Sequence, residues 1–107
     1  MLYEYRRYEA AQGRMPDLQR RFREVTLKLW EKHGVVQVGF WVAQVGESNQ
    51  LHYLLRWTDA AERERNWGAF LADPEWKSAK AESEANGAIV AGVHNEFWSP
   101  TDFSALR

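Results

Sequence analysis

The chain contains no cysteine and only three prolines among its 107 residues. The absence of thiols excludes disulfides, thiolate metal sites and a cysteine nucleophile. No apolar run approaches the roughly 20 residues that a membrane-spanning helix needs. The N-terminal sequence MLYEYRRYEA carries charges where a signal peptide has its apolar centre. We therefore expect a cytoplasmic protein with no membrane span.

The sequence also lacks an excess of charge of either sign. Its 14 Lys and Arg and 15 Asp and Glu are interspersed and leave a net charge of -1. A nucleic-acid-binding domain would show a basic stripe or run, so nucleic acid is not an expected partner. No Gly-rich phosphate loop, nucleophile elbow or zinc spacing is present. The motifs thus predict no cofactor and no metal, and they leave open whether the protein is an enzyme.

Aromatic residues are abundant, at 14% of the chain with six tryptophans. A chain of this length forms a single domain, which we place at 1-107. One small core does not easily hide so many large rings. We expect some of them at an interface or in a pocket.

Alternation of side chains predicts four strands. We place them at Leu2 to Ala10, Val35 to Val45, Gln50 to Trp57 and Ala88 to Trp98.

Helical spacing of apolar residues predicts two helices. The first begins at Pro16 and ends before Gly34, which suits a left-handed terminal residue. The second is capped by Asp59, with Glu62 completing a capping-box-like start, and it breaks or kinks at Asp73-Pro74. A second helical piece then runs from Pro74 to Asn86-Gly87.

The element order is βαββαβ, which predicts an α+β, ferredoxin-like fold. Such a fold is a four-stranded antiparallel sheet with both helices on one face. The right-handed crossover rule places the first and third strands at its centre.

Two helices cover only one face of this sheet. By apolarity we assign to the covered face Tyr3, Tyr5, Val36, Val38, Phe40, Val42, Leu51, Tyr53, Leu55, Ile89 and Val93. The other face then carries Glu4, Arg6, Tyr8, Gln37, Trp41, His52, Leu54, Arg56, Val90, His94, Glu96 and Trp98.

Large apolar groups among charges of both signs are typical of a homodimer interface between two sheets. Such an interface would bury roughly 1,600 Å² in total. We predict a polar network across it, made by Glu4, Arg6, Tyr8, His52, Arg56 and His94. A metal site would instead need two imidazoles and a carboxylate to converge, and a network of paired charges explains these residues more simply.

Aromatic side chains at strand and helix spacing either fill the core or line a pocket for a flat apolar ligand. The candidates for contact with such a ligand are Tyr5, Tyr53, Trp67 and Phe70.

Several segments together resemble the NIPSNAP family. They are YEYRRYEAAQG, KHGVVQVGFW, NQLHYLLRWTDAAERERNWGAFLADPEW and HNEFWSPTDFS. The resemblance implies a dimeric α/β barrel, in which two ferredoxin-like subunits pack their sheets together. It specifies a family and no reaction. The same superfamily includes cofactor-independent monooxygenases that place a ligand between sheet and helices.

Three functions remain open at this point. The first is a NIPSNAP-like homodimer of undefined biochemical role that binds a small apolar or aromatic ligand between sheet and helices. The second is a cofactor-independent monooxygenase-like enzyme for an aromatic substrate, in which Arg6, Tyr8 or His52 would orient charge. The third is a protein-interaction module that recruits a partner through its charged helices.

Overall fold

The computed structural model describes residues 1–107 and contains one sheet of four strands. The strands are β1 (Leu2–Ala10), β2 (Val36–Trp41), β3 (Gln50–Trp57) and β4 (Val90–Trp98). All pairings are antiparallel and the order is β2-β3-β1-β4. The first and third strands lie at the centre, which confirms the predicted ferredoxin-like topology.

The helices lie at the predicted positions, and the first contains a π-helical turn that was not predicted. Helices α1 (Met15–Arg21) and α2 (Leu27–His33) are joined without a break by a π-helical turn, Phe22–Thr26. After β3 come α3 (Ala60–Ala72) and α4 (Pro74–Ser83). No helix combines the length and the apolar character that a membrane crossing requires.

Local signals in the sequence set the helix ends. Gly34 ends α2 in the left-handed region, at φ 71°, where a side chain would be strained. At the start of α3, Asp59 accepts a 2.8 Å hydrogen bond from the Glu62 backbone N–H. Glu62 reaches back and accepts one of 3.0 Å from the Thr58 backbone N–H. The predicted capping-box-like start is therefore present, with Glu62 bonding the N–H one residue before the cap.

Strand β2 is shorter than predicted, and its faces change along its length. Val36 pairs with Arg56 and Phe40 pairs with Tyr53, with a register shift between Gln37 and Gly39. The expectation that Val36 and Phe40 share a face is wrong, because the extra residue of a β-bulge reverses the alternation. The strand ends at Trp41 instead of Val45, which is 95% exposed.

The faces of β1 are the reverse of those predicted. Arg6 pairs with Tyr53 and Tyr8 with Leu51, and paired residues share a face. Glu4 also contacts Arg63 of α3. Glu4, Arg6 and Tyr8 therefore lie under the helices, while Tyr3 and Tyr5 lie on the opposite face. The prediction chose the more apolar set as the inner one. The structure instead compensates buried charges with partners from other elements.

An aromatic core fills the space between helices and sheet. Trp30 and Phe70 enter from the helices, and Tyr53, Leu55 and Trp57 from β3; all five are buried. The rings of Trp30 and Tyr53 lie 5.4 Å apart, and those of Trp30 and Phe70 6.2 Å apart. Ring pairs at these distances add to the stabilisation from burial alone.

One buried carboxylate joins three helices. Asp73 ends α3 and caps α4, where it accepts a hydrogen bond from the Glu75 backbone N–H. Its Oδ2 lies 2.7 Å from His33 Nε2 and accepts a 3.0 Å bond from Lys32 at the end of α2. These hydrogen bonds, chiefly that of His33, hold the pKa of Asp73 well below its usual range.

We predict that Asp73→Asn removes part of the acid sensitivity of the fold. A carboxylate with a depressed folded-state pKa stabilises the protein above its ordinary pKa of about 3.9 and loses this effect as the pH falls below it. The melting temperature of the variant should be lower than wild type at pH 7 and should drop less between pH 5 and pH 3. Circular dichroism melts measure both. Asp102→Asn, at an exposed position, should match wild type. An identical acid profile for Asp73→Asn and wild type would contradict the assignment.

Candidate functional site

Under α3, the carboxylate of Glu4 accepts five hydrogen bonds from four elements. The donors are Arg6 at 3.0 Å, the Trp57 indole at 3.1 Å, Asn95 at 3.1 Å and Arg63 twice, at 3.2 and 3.1 Å. Glu4 itself is fully buried. Burial alone would raise the pKa of Glu4, but the hydrogen bond of Arg63 and the charge of Arg6 outweigh it and lower that pKa. The carboxylate is therefore held ionised and is not a general acid.

Arg6 links this carboxylate to a pair of tyrosines. Its Nε donates a 2.7 Å hydrogen bond to the Tyr53 hydroxyl, which donates one of 2.9 Å to Tyr8. The guanidinium carbon lies 4.7 Å from the centre of the Trp67 ring, within cation–π distance. Burial, and then the neighbouring Tyr8, raise the pKa of Tyr53 well above its ordinary value, although Arg6 opposes the shift. Tyr53 is thus a neutral donor at physiological pH.

The four ligand-contact candidates do not come together as one pocket. Tyr53, Trp67 and Phe70 are buried in the aromatic core, where Trp67 and Phe70 lie 5.2 Å apart. Tyr5 lies on the opposite face of the sheet, where it stacks on Trp98 at 5.0 Å. The prediction that Tyr5 lies beside the other three is wrong, because the faces of β1 are the reverse of those predicted.

The face of the sheet that the helices leave open carries a row of flat rings. Trp98 of β4, Tyr5 of β1 and His52 of β3 stack in sequence, at 5.0 and 6.0 Å. The Tyr5 hydroxyl lies 2.7 Å from His52 Nδ1. Trp41 of β2 pairs with His52 and extends the row across all four strands. Trp41 is 54% and Trp98 45% exposed.

Charged groups on the open face are only partly matched within the chain. His94 Nε2 lies 2.6 Å from a Glu96 oxygen, and the Trp98 indole donates to the other oxygen at 2.9 Å. Arg7 lies between His52 and His94 in the strand register. It forms no ion pair, and its Nε is buried without a partner.

The structure therefore divides the predicted interface network between the two faces. His52, Arg56 and His94 lie on the open face, as predicted, and Glu4, Arg6 and Tyr8 lie under the helices. Arg63 was not singled out from the sequence, and its hydrogen bonds to Glu4 were missed. One signal was available, because Trp67 follows Arg63 by four residues and a helix places such pairs on one side.

An apolar cavity of about 300 Å³ opens at the β2 edge, between that strand and the π-helical turn. Six of its eight lining residues are apolar. The lining residues are Gln19, Phe22, Arg23, Leu27, Phe40, Trp41, Val42 and Leu51. None of the four ligand-contact candidates is among them. Elsewhere, no three His, Asp or Glu side chains converge closely enough to hold a metal ion.

Comparison with known proteins identifies the family. The NIPSNAP family model matches residues 3–105. The chain belongs to the NIPSNAP family. No curated protein matches it.

Solved structures agree with this membership at the level of the fold. A NIPSNAP family protein from Agrobacterium tumefaciens superposes with a TM-score of 0.88 at 22% identity, covering 99% of this chain and 98% of that one. Another protein from the same bacterium gives 0.88 at 21% identity, with both chains fully covered. A putative antibiotic biosynthesis monooxygenase from Deinococcus radiodurans gives 0.64 at 11% identity, covering 100% of this chain and 99% of that one. At such identities the likenesses establish the fold and no activity.

We predict that Glu4→Gln destabilises this NIPSNAP protein by about 3–5 kcal/mol, because it leaves Arg6 buried without its counter-charge and Arg63 paired only with the exposed Glu64. The matched control is Glu64→Gln, which removes the exposed carboxylate that also pairs with Arg63. Its cost should be below about 1 kcal/mol. Urea unfolding at pH 7 measures both values. Equal costs for the two variants would show that the Glu4 cluster does not hold the helix to the sheet.

Proposed function

We propose that this NIPSNAP protein is a homodimeric binding module. Two sheets pack face to face, and each protomer takes a small apolar or aromatic ligand between helix and sheet. The observation that carries the ligand proposal is the apolar cavity at the β2 edge, beside an interior that is otherwise filled with aromatic rings. A concave, mainly apolar site with a few polar groups is the usual form of a small-molecule site.

The open face supports the dimer. Exposed Trp41 and Trp98 flank charged groups, and the half-buried Arg7 forms no ion pair within the protomer. Burying a polar group without a hydrogen bond is unfavourable, so a second surface that supplies an acceptor would stabilise this face. The same face on a twofold-related copy offers Glu96, and a twofold contact pairs each residue with the corresponding patch.

A binding role accounts for the covered cluster better than catalysis does. Glu4 is saturated with donors, and Arg6 and Tyr53 use their polar atoms on each other and on Tyr8. Such a network fixes geometry, and it leaves no free base near the cavity.

A monooxygenase-like enzyme is the second candidate function, and the hydrogen bonding of Tyr8 is the observation that favours it. This half-buried residue ends the chain from Arg6 through Tyr53. Its hydroxyl accepts hydrogen bonds from Tyr53 and from Arg6 and donates none within the protein. That proton could be given to a bound aromatic substrate. Oxygen consumption with an aromatic substrate, abolished by Tyr8→Phe, would favour this candidate over the binding module.

We predict that Arg56→Ala weakens the dimer by roughly 1–2 kcal/mol, an approximately five- to thirtyfold rise in its dissociation constant. Arg56 is exposed on the open face and forms no ion pair within the protomer, so its contacts there would be made by the partner. Arg65→Ala, at an exposed position on α3, removes the same charge away from this face and should leave the dimer unchanged. Sedimentation equilibrium measures the dissociation constants. A monomeric wild-type protein at micromolar concentration would refute the dimer, and an unaltered constant for Arg56→Ala would place the interface elsewhere.

A further inference from the structure

The walls of the cavity are formed by the two places where regular secondary structure is interrupted. The Leu27 backbone N–H donates to the Phe22 carbonyl, which closes the π-helical turn, and both residues line the cavity. Across from them, the bulge in β2 precedes Phe40 and Trp41, which also line it. π-Turns and β-bulges both occur preferentially next to functional sites. Here the two irregularities border the same space.

The size of the cavity limits its occupant. A water molecule takes up about 30 Å³ of liquid volume, so a cavity of about 300 Å³ corresponds to roughly ten waters. That is too large for an isolated ion. It is at the lower end of the range for small-molecule sites. The space suits one ring or a short aliphatic chain.

The polar side chains that line the cavity include a cation and no anion. Its two polar lining residues are Gln19 and Arg23, and no acidic residue is among the eight. Nearby cations of the same helix are already paired, Arg20 with Asp17 at 3.0 Å and Arg21 with Glu84 at 3.6 Å. Arg23 forms no ion pair. A guanidinium beside an amide is well suited to hold a carboxylate or a similar anionic head.

We propose that the cavity binds a small amphipathic monoanion. Its apolar body lies among Phe22, Leu27, Phe40 and Leu51, and its anionic head contacts Arg23 and Gln19. This inference rests on the proposed ligand-binding function and adds the charge of the ligand, which an apolar cavity alone does not specify.

Two probes of the same size, one anionic and one neutral, test the inference. Octanoate and octanamide have the same chain and the same number of heavy atoms, and isothermal titration calorimetry on the full chain measures both affinities. Octanoate should bind about threefold to tenfold more tightly, as a partly solvated charge-assisted contact allows. Raising the ionic strength should weaken the binding of octanoate and leave the binding of octanamide unchanged.

Three variants locate the effect. Arg23→Gln should make the two affinities equal. Arg20→Gln, which removes a cation of the same helix outside the cavity, should preserve the preference. Leu27→Trp fills the cavity and should abolish binding of both probes. Circular dichroism checks that each variant folds. Because Arg23 is exposed, Arg23→Gln should fold and still tests the inference if Leu27→Trp does not fold.

The outcomes separate the two claims. Equal binding of the probes to wild type, or a preference that survives Arg23→Gln, overturns the monoanion and leaves the apolar ligand site standing. Binding of neither probe, or binding that a folded Leu27→Trp variant retains, overturns the ligand site and the inference together.

Discussion

The fold depends on the carboxylate of Glu4, which is buried between the helices and the sheet. Removing Glu4 from water is unfavourable unless donors replace its hydration, and five hydrogen bonds do so. Those donors belong to β1, β3, β4 and α3, so the charge is matched only when all four elements are in place. Arg6 then stacks on Trp67 and bonds Tyr53, which orders the adjacent aromatic core. One electrostatic requirement thereby fixes the position of a helix and the orientation of the central strand.

This requirement explains which parts of the structure the sequence predicted. The correct predictions were the element order, the Gly34 stop, the helix cap at Asp59 and the break at Asp73. Each of these features depends on neighbouring residues. The faces of β1 were not, because tyrosines alternate with charges there and apolarity favours the wrong set. The correct choice depends on Trp57, Arg63 and Asn95, which lie 53, 59 and 91 residues from Glu4. No local pattern contains that information.

The site was less predictable than the fold for a related reason. Aromatic residues at regular spacing, such as Tyr53 and Phe70, pack against one another and leave no room between them. Space remains where regularity fails, at the π-helical turn and at the bulge in β2. The π-helical turn has no clear signature, since Phe22 to Thr26 has the pattern of an ordinary helix. Gly39 inside β2 was a signal for the bulge that the strand prediction did not use. Membership of the NIPSNAP family accounts for the architecture and specifies no ligand.

Helix α4 is held very differently from the layer around Glu4. It has no buried residue, and its main apolar anchor is Trp76, which lies 4.9 Å from Phe70 and 5.3 Å from the guanidinium of Arg21. Local opening requires less free energy where few apolar contacts must be broken. We therefore expect this segment to open at a lower free energy than the sheet and α3, with its amides exchanging with solvent sooner than those of β1.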